Sequence, residues 1–314
     1  MSTLRVLGYH RLEEPRARRL DLAPDLVSAS PAVFAQHMRL LAERFHPVGA
    51  DEVLAALQRR HTLPPRAVLV TFDDAYIDFV EFAWPILRAE RIPATLFVPT
   101  AFVDRPAAIF WWDAVWQVVS RTNVAVVPRA AGRPLALRSW PDRLVAARIL
   151  AEDFKRLPPP QRATACSHLA ERLGVRVEPT RAVLGWAALR QLQADGLAIA
   201  GHGRCHELLD QLGAGAVHHE VAGCRDDLVR ELGRCTALFA YPNGNVNGLA
   251  ASSLQAAGFE AGFTVVHGHN VLERADPRLL RRDQVAGWRR LGLAVRLSGP
   301  VAALRTRRHR LPRV

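Results

Sequence analysis

Two adjacent carboxylates, Asp73 and Asp74, end the apolar run Ala67-Val68-Leu69-Val70-Thr71-Phe72. Such a run reads as a buried strand of a parallel sheet, and parallel sheets and barrels collect functional groups just past strand carboxyl ends. Side by side, two carboxylates repel unless a positive charge stands near them. A metal ion meets that need, with one aspartate as ligand and the other free to take a proton. Capping of the next helix is the plainer alternative. A second stretch, Gly201-His202-Gly203-Arg204-Cys205-His206, carries two imidazoles four residues apart. On a helical turn they face the same way and reach one ion, and with an aspartate they make a three-ligand site open to water. A third, Leu238-Phe239-Ala240-Tyr241-Pro242-Asn243-Gly244, runs a strand into a tight turn. Its backbone N–H groups suit an oxyanion, or simply reverse the chain.

All three stretches need strands that stop where the chemistry starts. Residues 4–9 form a first apolar strand with His10 at its end, and Ser30-Pro31 opens an amphipathic helix to about 45. A helix over 51–60, the 67–72 strand, a helix over 77–90 and a strand over 93–99 continue the alternation expected of parallel β/α units. From 101 to 180 no strong strand is visible. Helices near 112–120, 141–155 and 161–173 read as an insertion on one barrel face, a lid or substrate wall. Helix 186–195, strand 197–201, helix 210–232, strand 237–241, helix 249–257 and strands 262–266 and 279–285 complete seven candidate strands. The expected fold is α/β, a distorted (β/α)7 barrel over 1–290 with a helical insertion, followed by a basic tail over 291–314.

The 314 residues suffice for one such barrel. The net charge of +12 is carried almost wholly by arginine, Lys155 being the single lysine. That charge favours anionic surfaces. Nucleic acid is not the expected partner, because no basic run is interleaved with aromatics and no helix-turn-helix pattern occurs. With no apolar leader at the amino terminus and no run of the roughly 20 residues a span needs, a cytoplasmic location is expected. The four cysteines lack metal-ligand spacing and read as free thiols. Beyond Asp283 no acidic residue appears, and Trp288, Leu291, Leu293, Val295 and Leu297 are interspersed with arginines. This pattern suits peripheral contact with an anionic membrane surface.

Together the motifs resemble the polysaccharide deacetylase family, also called carbohydrate esterase family four, over Gly8-Tyr9-His10-Arg11 to about Val285. Thr71-Phe72-Asp73-Asp74 resembles its first motif, His202-x-x-x-His206 its second, and Tyr241-Pro242-x-Gly244 a version of its third. The resemblance implies Asp73 as general base and Asp74, His202 and His206 as ligands of a divalent ion, zinc foremost, cobalt or nickel also suiting the donor set. It implies a backbone N–H near Asn243 on the oxyanion. His10, Tyr241, Pro242, Trp112 and Asp113 are expected to line the substrate site.

Several positions depart from the family pattern. Ala75 stands for a usual glycine, and Gly203 for a Ser or Thr whose hydroxyl supports the loop. Ala240 stands for the arginine that orients the base, a charge Arg281 or Arg282 could restore. The late histidine motif that supplies the acid is absent, leaving His267 and His269 as candidates. The implied activity is metal-dependent removal of acetyl groups from N-acetylated sugars of a bacterial oligosaccharide, polysaccharide or lipid-linked glycan. An O-acetyl esterase or non-sugar amidase on the same site, and a decayed glycan-binding protein, are the alternatives.

Overall fold

The computed structural model of the chain describes residues 2–15, 17, 19–105, 107–129, 132–312 and 314. The chain divides into two compact units, one of Met1–Pro15, Val27–Asp104 and Val183–Val314, the other of Arg16–Leu26 and Arg105–Ala182.

In the first unit, parallel strands lie in the order Thr3–Tyr9, Ala67–Phe72, Ala94–Val98, Ala198–Gly201, Thr236–Ala240 and Ala261–Phe263. The next segment closes the circle. Leu280 bridges Phe263, while Asp283–Gln284 pairs in parallel with Leu7 and Gly8. The seventh strand expected from sequence is therefore present, split between two neighbours. Asn270–Val271 adds a short antiparallel pairing to Thr3–Leu4.

Strand alternation decides what enters the barrel. Leu4, Val6, Ala67, Leu69, Phe97, Ala200, Leu238, Ala240, Ala261, Phe263 and Leu280 form one buried cluster. The alternate set on two strands, Tyr9 and Phe72, packs with Phe34 and Phe79 at ring separations of 4.9–5.5 Å. Gly8 lies under the last strand, where a Cβ would sit 2.5 Å from the Gln284 amide. All six residues of Ala67–Phe72 are buried, so its Val- and Leu-rich composition follows from cover on both faces. Ser30 caps helix Pro31–Arg44 by accepting the Val33 N–H.

The residues read as a basic tail are folded. Helices Arg290–Leu297 and Gly299–Arg308 bury Leu293, Leu297 and Ala302. The Leu297 carbonyl accepts from Arg5, and Arg290 pairs with Glu43.

The second unit holds helices Trp111–Arg121, Trp140–Lys155 and Pro159–Arg172 around Val115, Val119, Leu150, Leu169 and Leu173. Val126–Val127 pairs antiparallel with Leu135–Ala136. Segment Arg16–Leu26 belongs to this unit, a join the sequence did not reveal. The Asp113 carboxylate accepts the Ala23 N–H, and the Trp116 indole donates to the Arg19 carbonyl.

Candidate active site

Thr71 and Asp73 continue the inward face of the Ala67–Phe72 strand, and Arg282 enters from the closing segment. Its guanidinium grips both Asp73 oxygens, at 2.6 Å and 2.8 Å, and reaches Thr71 Oγ1 at 3.3 Å. Arg282 is fully buried and its carbon lies 5.6 Å from the Phe97 ring centre. Of the two arginines proposed to replace the missing motif arginine, register selects Arg282. Arg281 faces the other way and donates to the His267 and His309 carbonyls. Burial pushes the Asp73 carboxyl up, but Arg282, His202 and His10 more than offset this and leave it below its ordinary value. An ionised carboxylate with a free lone pair on each oxygen can still accept a proton.

After Asp73 the chain turns sharply, with Asp74 at φ 68° and Ala75 at φ 52°. The turn sends Asp74 toward the histidines. Its Oδ1 lies 3.4 Å from His202 Nε2 and 3.3 Å from His206 Nε2, all three residues being buried. That oxygen makes no hydrogen bond, an expensive condition for a buried carboxylate unless a cation completes it. The His202 Nδ1 sits 2.7 Å from the Ala240 carbonyl. A carbonyl can only accept, so Nδ1 carries the proton and Nε2 is left as a ligand lone pair. The three donor atoms lie within 4.8 Å of one another. One carboxylate and two imidazoles of this kind fit a divalent ion such as zinc.

The histidines do not share a helical turn, as their spacing had suggested. Gly203 at φ 76° and His206 at φ 55° make a loop that folds back, bringing the rings to 4.7 Å. His10 also reaches the cluster, its Nε2 lying 3.7 Å from Asp73 Oδ2 and its side chain 22% exposed. Asn243 stands at the exposed tip of the Pro242–Gly244 turn with φ 56°. The Gly244 and Asn245 N–H groups close that turn on the Tyr241 and Pro242 carbonyls.

Other expected site residues fall elsewhere. Tyr241 is fully buried with its hydroxyl on the Arg278 carbonyl, and Pro242 is buried beside the histidine loop, so both are structural. His267 is held by Asp283 at 2.9 Å, and its ring packs on that of His309, just past the last helix, at 5.2 Å. His269 donates its backbone N–H to Thr306. Both histidines follow the outward side of the closing strand, where Asp283 points, whereas Arg282 next to it points inward. His10, by contrast, lies 3.7 Å from Asp73. Trp112 and Asp113 lie in the second unit, Trp112 stacked on Phe110 and Asp113 buried on the Ala23 N–H. Sequence reasoning missed Glu220, a buried carboxylate that accepts the N–H groups of Arg204, Cys205 and Glu207. Nothing local to the helix carrying it marked it out.

The polysaccharide deacetylase family profile matches residues 60–141 and 150–262. The chain belongs to the polysaccharide deacetylase family. Members are hydrolases acting on carbon–nitrogen bonds, and the matched span includes both aspartates and both histidines. A poly-beta-1,6-N-acetyl-D-glucosamine N-deacetylase of Escherichia coli is 29% identical over 101 residues, which are 32% of this chain and 14% of that protein. Among solved structures, the Streptococcus pyogenes deacetylase PplD in complex with acetate superimposes with a TM-score of 0.63 at 17% identity, covering 94% of this chain and 98% of that one. IcaB from Ammonifex degensii gives 0.59 at 20% identity, covering 95% and 97%. These likenesses extend the deacetylase fold over nearly the whole chain.

Proposed function

We propose that this deacetylase removes acetyl groups from N-acetylated sugars of a bacterial oligosaccharide, polysaccharide or lipid-linked glycan, using a divalent ion held by Asp74, His202 and His206. The observation that carries this reading is an ionised, doubly hydrogen-bonded Asp73 directly adjoining a buried three-donor cluster. The name of the Escherichia coli relative supports an N-acetylhexosamine as the acetylated unit. Zinc is the first choice, with cobalt and nickel compatible.

A bound ion would supply Lewis-acid activation of a water and of the acetyl carbonyl. The chain's own groups handle protons and charge. Asp73 takes the water proton as the water oxygen bonds to the acetyl carbon, and Arg282 holds the base in one orientation throughout. The Asn243 N–H faces the oxygen that gains negative charge. As the carbon–nitrogen bond breaks, His10 delivers a proton to the leaving amine, and acetate departs. Burial, only partly offset by Asp73 and Asp74, lowers the His10 pKa. The protonated form is therefore a strong donor but the minority form at neutral pH, and turnover should rise as pH falls toward its pKa while the metal stays bound. Acetate release from N-acetylglucosamine oligomers by zinc-loaded protein tests the reading. Asp73→Asn should keep the metal and lower kcat by roughly 10²–10⁴-fold. Full turnover by that variant would remove Asp73 from the mechanism.

We further propose that the terminal helices rest on an anionic membrane surface on the cytoplasmic side. Leu291, Val295 and Leu304 are exposed there, at 76%, 50% and 48%, with Arg289, Arg290 and Arg310 also exposed. Apolar side chains among arginines suit a lipid headgroup boundary, each basic residue contributing about 1 kcal/mol near an anionic leaflet. Vesicles with and without phosphatidylserine should separate wild type from a Leu291→Ser, Val295→Ser variant, and salt should weaken binding. Equal binding by both proteins would refute it.

A further inference from the structure

Position 203 carries no side chain, although in the family this place commonly supplies a hydroxyl to the ligand loop. The structure shows what occupies the space. A Cβ on Gly203 would lie 2.8 Å from Glu220 Oε2. Glu220 projects from helix Ala214–Leu232 and is 3% exposed. Its Oε2 accepts the N–H of Arg204 at 3.1 Å, of Cys205 at 3.0 Å and of Glu207 at 3.4 Å, and Oε1 accepts Cys205 again at 3.1 Å. Three backbone donors on both sides of His206 thus converge on one carboxylate. Charge-assisted bonds of this kind are the strong ones, and a carboxylate surrounded by successive N–H groups is a rigid anchor.

The anchor matters because the loop is held against its preference. His206 adopts φ 55°, a left-handed conformation that a residue with a Cβ enters only at a cost. His202 has other supports. Its N–H bonds the Val98 carbonyl and its Nδ1 the Ala240 carbonyl. The Glu220 bonds fall on the residues immediately before and after the second histidine. Arg204, between them, is fixed from outside by Asp227 at 2.8 Å, which also accepts from Thr100.

We propose that Glu220 is the positioning residue that holds His206 in its ligand geometry, in place of the hydroxyl absent at Gly203, and so sets the metal affinity of the site. This rests on the metal-site reading above. A side chain at 203 would meet the Glu220 carboxylate and would also have to adopt φ 76°.

The test uses Co²⁺ alone, titrated into the full chain and followed by its visible absorption, with thermal unfolding of the metal-free proteins alongside. Glu220→Gln should weaken Co²⁺ binding by roughly 10–100-fold, the range for partners that orient metal ligands. In a His206→Ala background the same change should add no further weakening, because Glu220 acts through that histidine. Gly203→Ser should weaken binding in the wild-type chain and be better tolerated beside Glu220→Ala. Unchanged affinity in Glu220→Gln, or losses that simply add in the double variant, would overturn the inference. If Glu220→Gln unfolds, the Gly203→Ser pair carries the test. Absence of Co²⁺ binding by the wild-type protein would instead refute the metal site itself.

Discussion

Asp73 and Arg282 are a buried, bidentate ion pair, to which His202 and His10 add further attraction on the aspartate. Removing the arginine strands a carboxylate away from water, so Arg282→Ala should cost about 3–5 kcal/mol, measured by urea unfolding. It should also lower kcat, since the base loses its fixed orientation. Arg282→Lys should recover part of the stability and less of the rate, because a point charge lacks the bidentate fork. His10 has its own signature. His10→Ala should depress turnover of N-acetyl substrates by roughly 10²–10⁴-fold and leave 4-nitrophenyl acetate hydrolysis far less affected, since that leaving group needs no proton. Equal losses on both substrates would remove His10 as the acid. Burial works against protonation of His202, but Asp73, Asp74 and the Ala240 carbonyl more than compensate and raise its pKa. Protons and metal then compete for Nε2, and Co²⁺ affinity should fall as pH drops below neutrality.

At the scale of elements, the turn after the catalytic strand is tied to the chain ahead of it by Asp78. Its carboxylate accepts the Leu12 N–H at 2.6 Å and lies 3.8 Å from Arg11. Burial pushes the Asp78 pKa up to about 6, despite Arg11 and the Leu12 N–H. A carboxyl whose folded pKa exceeds its unfolded value binds more protons when folded, so its contribution weakens as pH rises. Stability should decline between about pH 4 and 6, by up to ~3 kcal/mol from a shift of this size. Asp78→Asn should flatten that slope, as read from unfolding at several pH values. Strand ends were legible in the sequence because an apolar run interrupted by a charge is a local signal. Asp73, Asp74, His202 and His206 all came from such signals. The choice between Arg281 and Arg282 was not local: one step of register decides which side chain enters the barrel. The same step sends Asp283 outward, where it holds His267. Two residues in left-handed conformation turned an expected helical turn into the histidine loop. Glu220 was invisible because its partners are backbone groups, which every sequence has.

Among the described residues, all three metal-site residues lie in one of the two units. Metal should therefore stabilise the first unit alone. At an ion concentration a hundred times its dissociation constant the gain is about 2.7 kcal/mol. Calorimetry with and without a chelator should move the transition of that unit, and a Trp116-centred signal from the second should stay in place. A shift of both together would show that the units unfold as one.

Arg282 lies 209 positions beyond the aspartate it serves. During synthesis on the ribosome, the first strands and both aspartates emerge long before their counter-charge does. A nascent chain stopped short of Leu280 has an open sheet and an Asp73 without the guanidinium that grips both its oxygens. Competence for chemistry is thus deferred to the last turn of barrel closure, and a premature stop between His206 and Leu280 should leave every metal-site residue in the chain but a base without the arginine that orients it.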